Sequence, residues 1–391
     1  MPTQPMSPPP FAEEPESLNV VHRGRVVGTL AQDPEGLLAF EYSDEWLANG
    51  FSISPFSLPL EKRVFVAKPH PLDGMFGVFD DSLPDGWGRL LVDRLLQRHG
   101  SNPFEIGALA RLSIVGASGL GALEYVPAAQ LGNSQGPGDL DGIAAECARL
   151  LSTDFSDDLD ALFALGGSSG GARPKIMTEI GGEDWIIKFP SSHDDADIGL
   201  HEYRMACAAQ RCGIVMPETK LFPSRKCAGY FGVRRFDRRV DAQGDTRKVH
   251  MVSAGGLLET SHRIPNLDYD LLMRLILRLT DSFDSIEQLY RLMCFNVFAE
   301  NRDDHAKNFS FLFDEDKGAW ELSPAYDLTR NEGMNGERAT TVNGKGRGIE
   351  HADLVAVGQR AGMSAHEARA VASEVEEAVR ASLQGSKRVK S

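Results

Sequence analysis

Positive charge is scarce in this sequence: 41 Lys and Arg stand against 56 Asp and Glu over 391 residues, a formal net charge of −15. An acidic surface repels phosphate backbones, so direct, non-specific nucleic-acid binding is excluded unless a local basic patch or a basic partner supplies it. Cysteine is scarce too. The five residues Cys147, Cys207, Cys212, Cys227 and Cys294 form no C-x-x-C pair. Cys207 and Cys212 have no second pair at zinc-like spacing, and an odd count does not build a disulfide framework. Reduced thiols of a cytoplasmic protein are the reading that fits. No apolar run approaches the roughly 20 residues that span a bilayer, and no repeat of solenoid length occurs. The opening MPTQPMSPPPFAEEPES lacks a basic segment and an apolar core. It is expected to be a disordered lead-in over residues 1–17 and not a signal peptide.

What remains is an ordinary globular composition, 42% hydrophobic and 25% charged. At roughly 100–200 residues per domain, the length predicts two or three domains. VVHRGRVVGTLAQ alternates around Gly24 and predicts a hairpin; LLAFEYSDEWL predicts a strand entering a helix. Leu90, Leu91, Leu95 and Leu96 then recur at helical spacing, so a helix starts near Trp87. LSIVGASGLGALEYVP returns to strand and turn signals. QLGNSQGPGDL is a linker or boundary loop by composition. MTEIGGEDWIIKFP predicts two strands joined at Gly181-Gly182, HEYRMACAAQRCGI a helix closed by Gly213, and KCAGYFGVRRFDRR a strand. From Asn266 onward the chain reads as mostly helical, interrupted by a hairpin of FSFLF and AWELSPAYDL. The domains expected are 18–130, 140–265 and 266–385.

One polar run carries the strongest chemical signal. In Asn301-Arg302-Asp303-Asp304-His305-Ala306-Lys307-Asn308, an Asp is followed after four residues by an Asn. That is the spacing of a kinase catalytic loop. There the Asp orients an attacking hydroxyl and accepts its proton, while the Asn amide oxygen holds magnesium on the phosphates. Asp327 in LSPAYDLT follows where a second metal-binding carboxylate would stand. Lys188 ends the apolar strand DWIIKFP. Such a lysine usually snorkels to the surface, but a phosphate-contacting lysine paired with a helix glutamate, here Glu202, needs that placement. Upstream, Gly166 to Lys175 reads GGSSGGARPK. It lacks the Walker spacing, yet glycine N–H groups can form an anion-binding nest. A glycine-rich loop, strand Lys, helix Glu, Asp-x4-Asn loop and Asp, in that order, are hard to obtain by chance.

In combination with FDDSLPDGWGR, GASGLGAL, HEYRMA, VRRFDR, NRDDHAKNFSF and PAYDL, these segments make the chain resemble the HipA family of toxin kinases over nearly its whole length. The resemblance implies an α+β, two-lobe protein-kinase-like fold related to phosphatidylinositol-kinase-like enzymes, with an added amino-terminal α/β domain and a mostly helical carboxy-terminal lobe. It implies ATP and magnesium as cofactors. Asp303 then corresponds to the catalytic base, and Asn308 and Asp327 to the magnesium ligands. Lys188, Glu202, Gly170, Gly171, Lys175, His305, Lys307, Val252 and Ala254 correspond to groups around the nucleotide. Ser168, with Ser169 beside it, matches the serine that family members phosphorylate on themselves. A phosphate there adds about −1.5 to −2 charges and would drive the loop from the site.

The chain departs from the family at His250-Met251-Val252-Ser253, where many members carry a polar Gln-Glu-Asp run against adenine; backbone contacts to adenine survive that change. The implied activity is serine/threonine phosphorylation of a translation component of the aminoacyl-tRNA synthetase class, arresting growth. The implied partner is a HipB-like helix-turn-helix antitoxin on operator DNA, with no membrane involved. Two other readings are a small-molecule kinase, which leaves the FDDSLPDGWGR domain unexplained, and a mainly non-catalytic co-repressor, against which the intact Asp303, Asn308 and Asp327 argue.

Overall fold

The computed structural model describes residues 14–129, 139–153, 156, 158–241, 244–333 and 335–384. Most of the expected lead-in, nearly all of the expected linker and the basic end KRVKS lie outside these residues. The chain divides into two compact units. The first holds Met1–Gly199, Phe222–Val252 and Gly256–Glu259; the second holds Leu200–Leu221, Ser253–Gly255 and Thr260–Ser391.

In the first unit, five antiparallel strands form a sheet that runs, edge to edge, Val64–Val66, Leu38–Tyr42, Arg25–Gln32, Ser17–His22, Leu123–Val126. Leu18, Val20, Leu30, Leu38, Phe40 and Tyr42 bury one face, as period-two alternation requires. Phe40 meets Phe79 at 5.4 Å between ring centroids. The stretch expected to return to strand is partly helical: Ala108–Val115 is an α-helix. Leu109, Ala110, Leu112, Ser113, Ile114 and Val115 are all buried in it. A short helix whose one charged residue is Arg111 offers little period to read, and its β-branched Ile114 and Val115 mimic a strand.

A second antiparallel sheet pairs Lys175–Ile180 with Glu183–Lys188, and the latter with Tyr230–Arg234. The turn between the first two is Gly181-Gly182, with φ of 65° and 81°. A two-residue turn of this hand suits glycine and sets the register of both strands. Trp185 and Ile187 of this sheet share one core with Trp87 and Leu91 of the helix Gly86–Arg98 and Leu162 of the helix Leu159–Gly166. Three of the four charges of VRRFDR are internal braces. Arg235 and Arg238 both reach the buried Asp237, at 2.7 and 2.9 Å. They also donate to the carbonyls of Gly119 and Gly121.

The second unit is mostly helical, as expected, with Tyr269–Thr280, Phe283–Phe298, His351–Arg360 and Ala365–Val379. Their starts follow cap chemistry: Asp268, Ser282 and Ser364 accept from the first turns, and Ser364 with Glu367 completes a capping box. Tyr290, fully buried, donates to the Ala368 carbonyl at 3.0 Å and joins two helices. The expected hairpin is Ser310–Asp314 with Ala319–Leu322. No helix among the described residues is long and apolar enough to cross a membrane.

Candidate active site

The Asp-x4-Asn loop follows the helix Phe283–Phe298 in the second unit. Its start is held by amides: Asn301 donates from Nδ2 to Asn296 Oδ1 at 3.0 Å and from its backbone N–H to the Asn296 carbonyl at 3.0 Å. Asp304 is buried at 1% exposure. It accepts from Tyr269 Oη at 2.8 Å, pairs with Arg338 at 3.3 Å and accepts from Thr340 N–H at 3.3 Å. Burial raises its pKa above the ordinary carboxylate value, against the lowering influence of Arg338 and Tyr269. Arg302 on the other side donates to the carbonyls of Glu332 and Gly336. Asp303 sits between these two anchors and is exposed.

Asn308 ends a short 3-10 turn, Ala306–Asn308. Its Nδ2 donates to the Asp303 carbonyl at 2.8 Å. The amide is thereby oriented, with its oxygen on the far side as a hard acceptor. Tyr326 donates to the Lys307 carbonyl at 2.5 Å and lies 2.6 Å from Ser310 Oγ. This clamp fixes the residue after it, Asp327, whose φ of 55° lies in the left-handed region. An Asp tolerates that region at modest cost when the surroundings hold it there. Ala254 N–H donates to the Phe309 carbonyl at 2.7 Å, tying Ala254 to the same strand end. The His305 ring packs 5.4 Å from that of His262, and His305 Nδ1 is buried without a hydrogen bond. Glu202 of this unit is 3% exposed. Among the described residues no cluster of three or more His, Cys, Asp or Glu could hold a metal. Asparagine is not among those residue types, so that absence does not bear on Asn308, and Asn308 and Asp327 each carry a hard oxygen of the kind magnesium takes.

The first unit contains the glycine-rich loop, Lys188 and Val252. Lys188 stands directly opposite Lys175 in the adjacent strand, and both are 8% exposed. Opposite residues share a face with Cβ atoms about 4.5–5.5 Å apart. Two mostly buried lysines therefore stand side by side on the strands that follow the loop. Lys188 Nζ also lies 5.7 Å from the Phe231 ring centre, and Lys175 Nζ donates back to the Gly170 carbonyl. Ser168 and Ser169 are buried, donating to the carbonyls of Ser118 at 2.8 Å and Gly166 at 2.6 Å.

Sequence reasoning missed the brace behind Asp304. Tyr269, Asn296, Arg338 and Thr340 carry no motif, and Arg338 lies 34 residues beyond Asp304. The opposition of Lys175 and Lys188 was within reach, because it follows from counting outward from the Gly181-Gly182 turn.

Known families settle the relationship. The HipA-like C-terminal domain matches residues 167–383, and the HipA N-terminal domain matches residues 18–126. The chain belongs to the HipA family. Among curated relatives of this HipA-family chain, "Putative kinase Y4mE" of Sinorhizobium fredii is 29% identical over 345 residues, 80% of this chain and 76% of that protein. "Putative kinase Y4dM" of the same organism is 26% identical over 164 residues, 39% of each. Among solved structures, HipA of Shewanella oneidensis, determined as a toxin–antitoxin complex with HipB and operator DNA, superposes with a TM-score of 0.70. That match has 18% identity and covers 94% of this chain and 90% of the other. The fold is thus the HipA α+β fold, with an amino-terminal domain and a mostly helical carboxy-terminal region.

Proposed function

We propose that this HipA-family chain is an ATP-dependent serine/threonine protein kinase acting as the toxin of a toxin–antitoxin pair. The observation that carries the proposal is the contrast within the catalytic loop: Asp304 is buried in an ionic brace while Asp303 is presented exposed, with the Asn308 amide locked beside it.

Asp303 would accept the proton of the attacking hydroxyl. The hydroxyl oxygen then bonds to the γ-phosphorus as the bond to the β,γ-bridging oxygen breaks, and ADP leaves. Asn308 and Asp327 offer hard oxygen donors to magnesium, which neutralises phosphate charge when bound. Lys188 and Lys175 supply positive charge for the phosphates, and Gly170 and Gly171 allow close backbone approach. Glu202, His305, Lys307, Val252 and Ala254 are assigned to the nucleotide's surroundings through the family resemblance. The resemblance also supports a helix-turn-helix antitoxin and an aminoacyl-tRNA synthetase-class substrate, and the Shewanella complex with HipB is consistent with the former.

Self-phosphorylation is proposed at Ser168 in preference to Ser169. The Ser168 hydroxyl is held by a residue outside the loop, Ser118, so its modification removes an external tether. Incubating the purified chain with magnesium and γ-labelled ATP, then mapping phosphate by mass, tests both ideas. Label on Ser168 that disappears in Asp303→Asn is the expected result. Absence of transfer despite ATP binding would sink the kinase reading.

A further inference from the structure

The amino-terminal domain reaches the glycine-rich loop through one short turn, Pro84-Asp85-Gly86-Trp87-Gly88. Asp85 Oδ1 accepts the Gly171 N–H. Trp87 N–H donates to the Gly171 carbonyl at 2.9 Å, and Trp87 Nε1 donates to the Lys175 carbonyl at 3.1 Å. Gly171 is therefore held at both its N–H and its C=O by residues more than 80 positions earlier in the chain.

The approach is closer than any side chain permits. A Cβ on Gly86 would lie 2.3 Å from the Gly171 carbonyl oxygen, and one on Gly88 would lie 2.2 Å from that of Ser169. Both obstacles are backbone atoms, which cannot swing aside. A fourth contact comes from the same domain, where the Ser118 carbonyl accepts the Ser168 hydroxyl. Below these contacts, Trp87 and Leu91 share a core with Ile176 and Trp185 of the strands that flank the loop's exit. Both sides of the dock thus rest on one packed core.

We infer that the Pro84–Gly88 turn is the dock that sets the glycine-rich loop in its phosphate-binding shape, with Asp85 as the positioning residue. This inference rests on the phosphate-holding role proposed for the loop. Asp85 uses up one loop N–H, and by fixing Gly171 it shapes the neighbouring backbone and leaves Lys175 bonded to Gly170. Glycine-rich segments otherwise sample many conformations, and ordering one before the ligand arrives removes a cost from binding. The aspartate, tryptophan and two glycines of FDDSLPDGWGR are on this account parts of the nucleotide machinery, although the segment lies far upstream of it in sequence.

The test uses the full chain and two readouts. Amide hydrogen exchange across residues 166–175 reports docking without any nucleotide, and steady-state kinetics report ATP use. In Asp85→Ala, exchange of the loop amides is expected to rise about tenfold or more, as loss of a charge-assisted bond predicts. The KM for ATP should rise by a similar factor with a smaller change in kcat. Asp85→Asn keeps an acceptor oxygen and should recover much of both. Gly88→Ala should raise loop exchange as well. Unchanged exchange in both Asp85→Ala and Gly88→Ala overturns the dock. Tighter ATP binding in Asp85→Ala also overturns it, because the carboxylate would then be a competitor of phosphate. If the parent binds no ATP while the variants still lose protection, the phosphate role fails and the docking contacts stand.

Discussion

Asp303 and Asp304 are chain neighbours in opposite environments: the first is exposed, and the second is buried against Arg338 at 3.3 Å. Their substitutions should separate cleanly. Asp303→Asn is expected to lower phosphoryl transfer by about 10²–10⁴-fold with little change in thermal stability. Asp304→Ala strands the Arg338 guanidinium and should cost about 3–5 kcal/mol of stability. Parallel transfer assays and thermal melts decide this. Equal stability losses in the two variants would contradict the assignment.

Lys175 and Lys188 face each other across adjacent strands. The apo melt of Lys188→Met sets the baseline against which its response to nucleotide is read. The parent should gain about 2.7 kcal/mol when ATP is present at a hundred times its Kd. Lys188→Met should lose most of that gain. Melting curves with and without magnesium-ATP measure both effects, and an undiminished ATP response would remove Lys188 from the site.

Ser168 is buried with its hydroxyl on the Ser118 carbonyl. Ser168→Ala should cost only about 1 kcal/mol and should abolish self-labelling, whereas Ser169→Ala should retain it. A carboxylate at the same position, in Ser168→Glu, can no longer donate to the Ser118 carbonyl oxygen and is repelled by it. It should raise proteolytic cleavage within residues 166–175 and weaken ATP binding. Label persisting in Ser168→Ala would move the modified site elsewhere.

Asp353 opens the helix His351–Arg360. The hydrogen bond from Lys345, followed by that from Glu350 N–H, pulls its pKa from 3.8 down to about 2. A lowered folded-state pKa means that the unfolded chain takes up this proton first as pH falls. The contribution is fully present above about pH 4 and is lost on acidification toward pH 2. Asp353→Asn should therefore unfold with a shallower pH dependence across that interval, by up to one proton. Denaturant titrations at pH 2 to 5 measure the difference.

Features whose information is local can be read along the chain. The Gly181-Gly182 hairpin follows from turn chemistry, the helices of the second unit from three-and-four spacing and caps, and the Asp303 to Asn308 spacing from the needs of one loop. The family resemblance followed from short segments spread along the chain, FDDSLPDGWGR, GGSSGGARPK, HEYRMA, NRDDHAKNFSF and PAYDL among them. Tertiary structure alone decided the rest. The helix Ala108–Val115 buries six of its eight residues, so too little of a polar face is left to show its period. Which of two adjacent aspartates is buried goes with Arg338, Tyr269 and Thr340, and Gly171 of the glycine-rich loop is held by Asp85 and Trp87. Those partners lie tens of residues away, and a contact closed by the fold leaves no periodicity or spacing along the chain from which to read it.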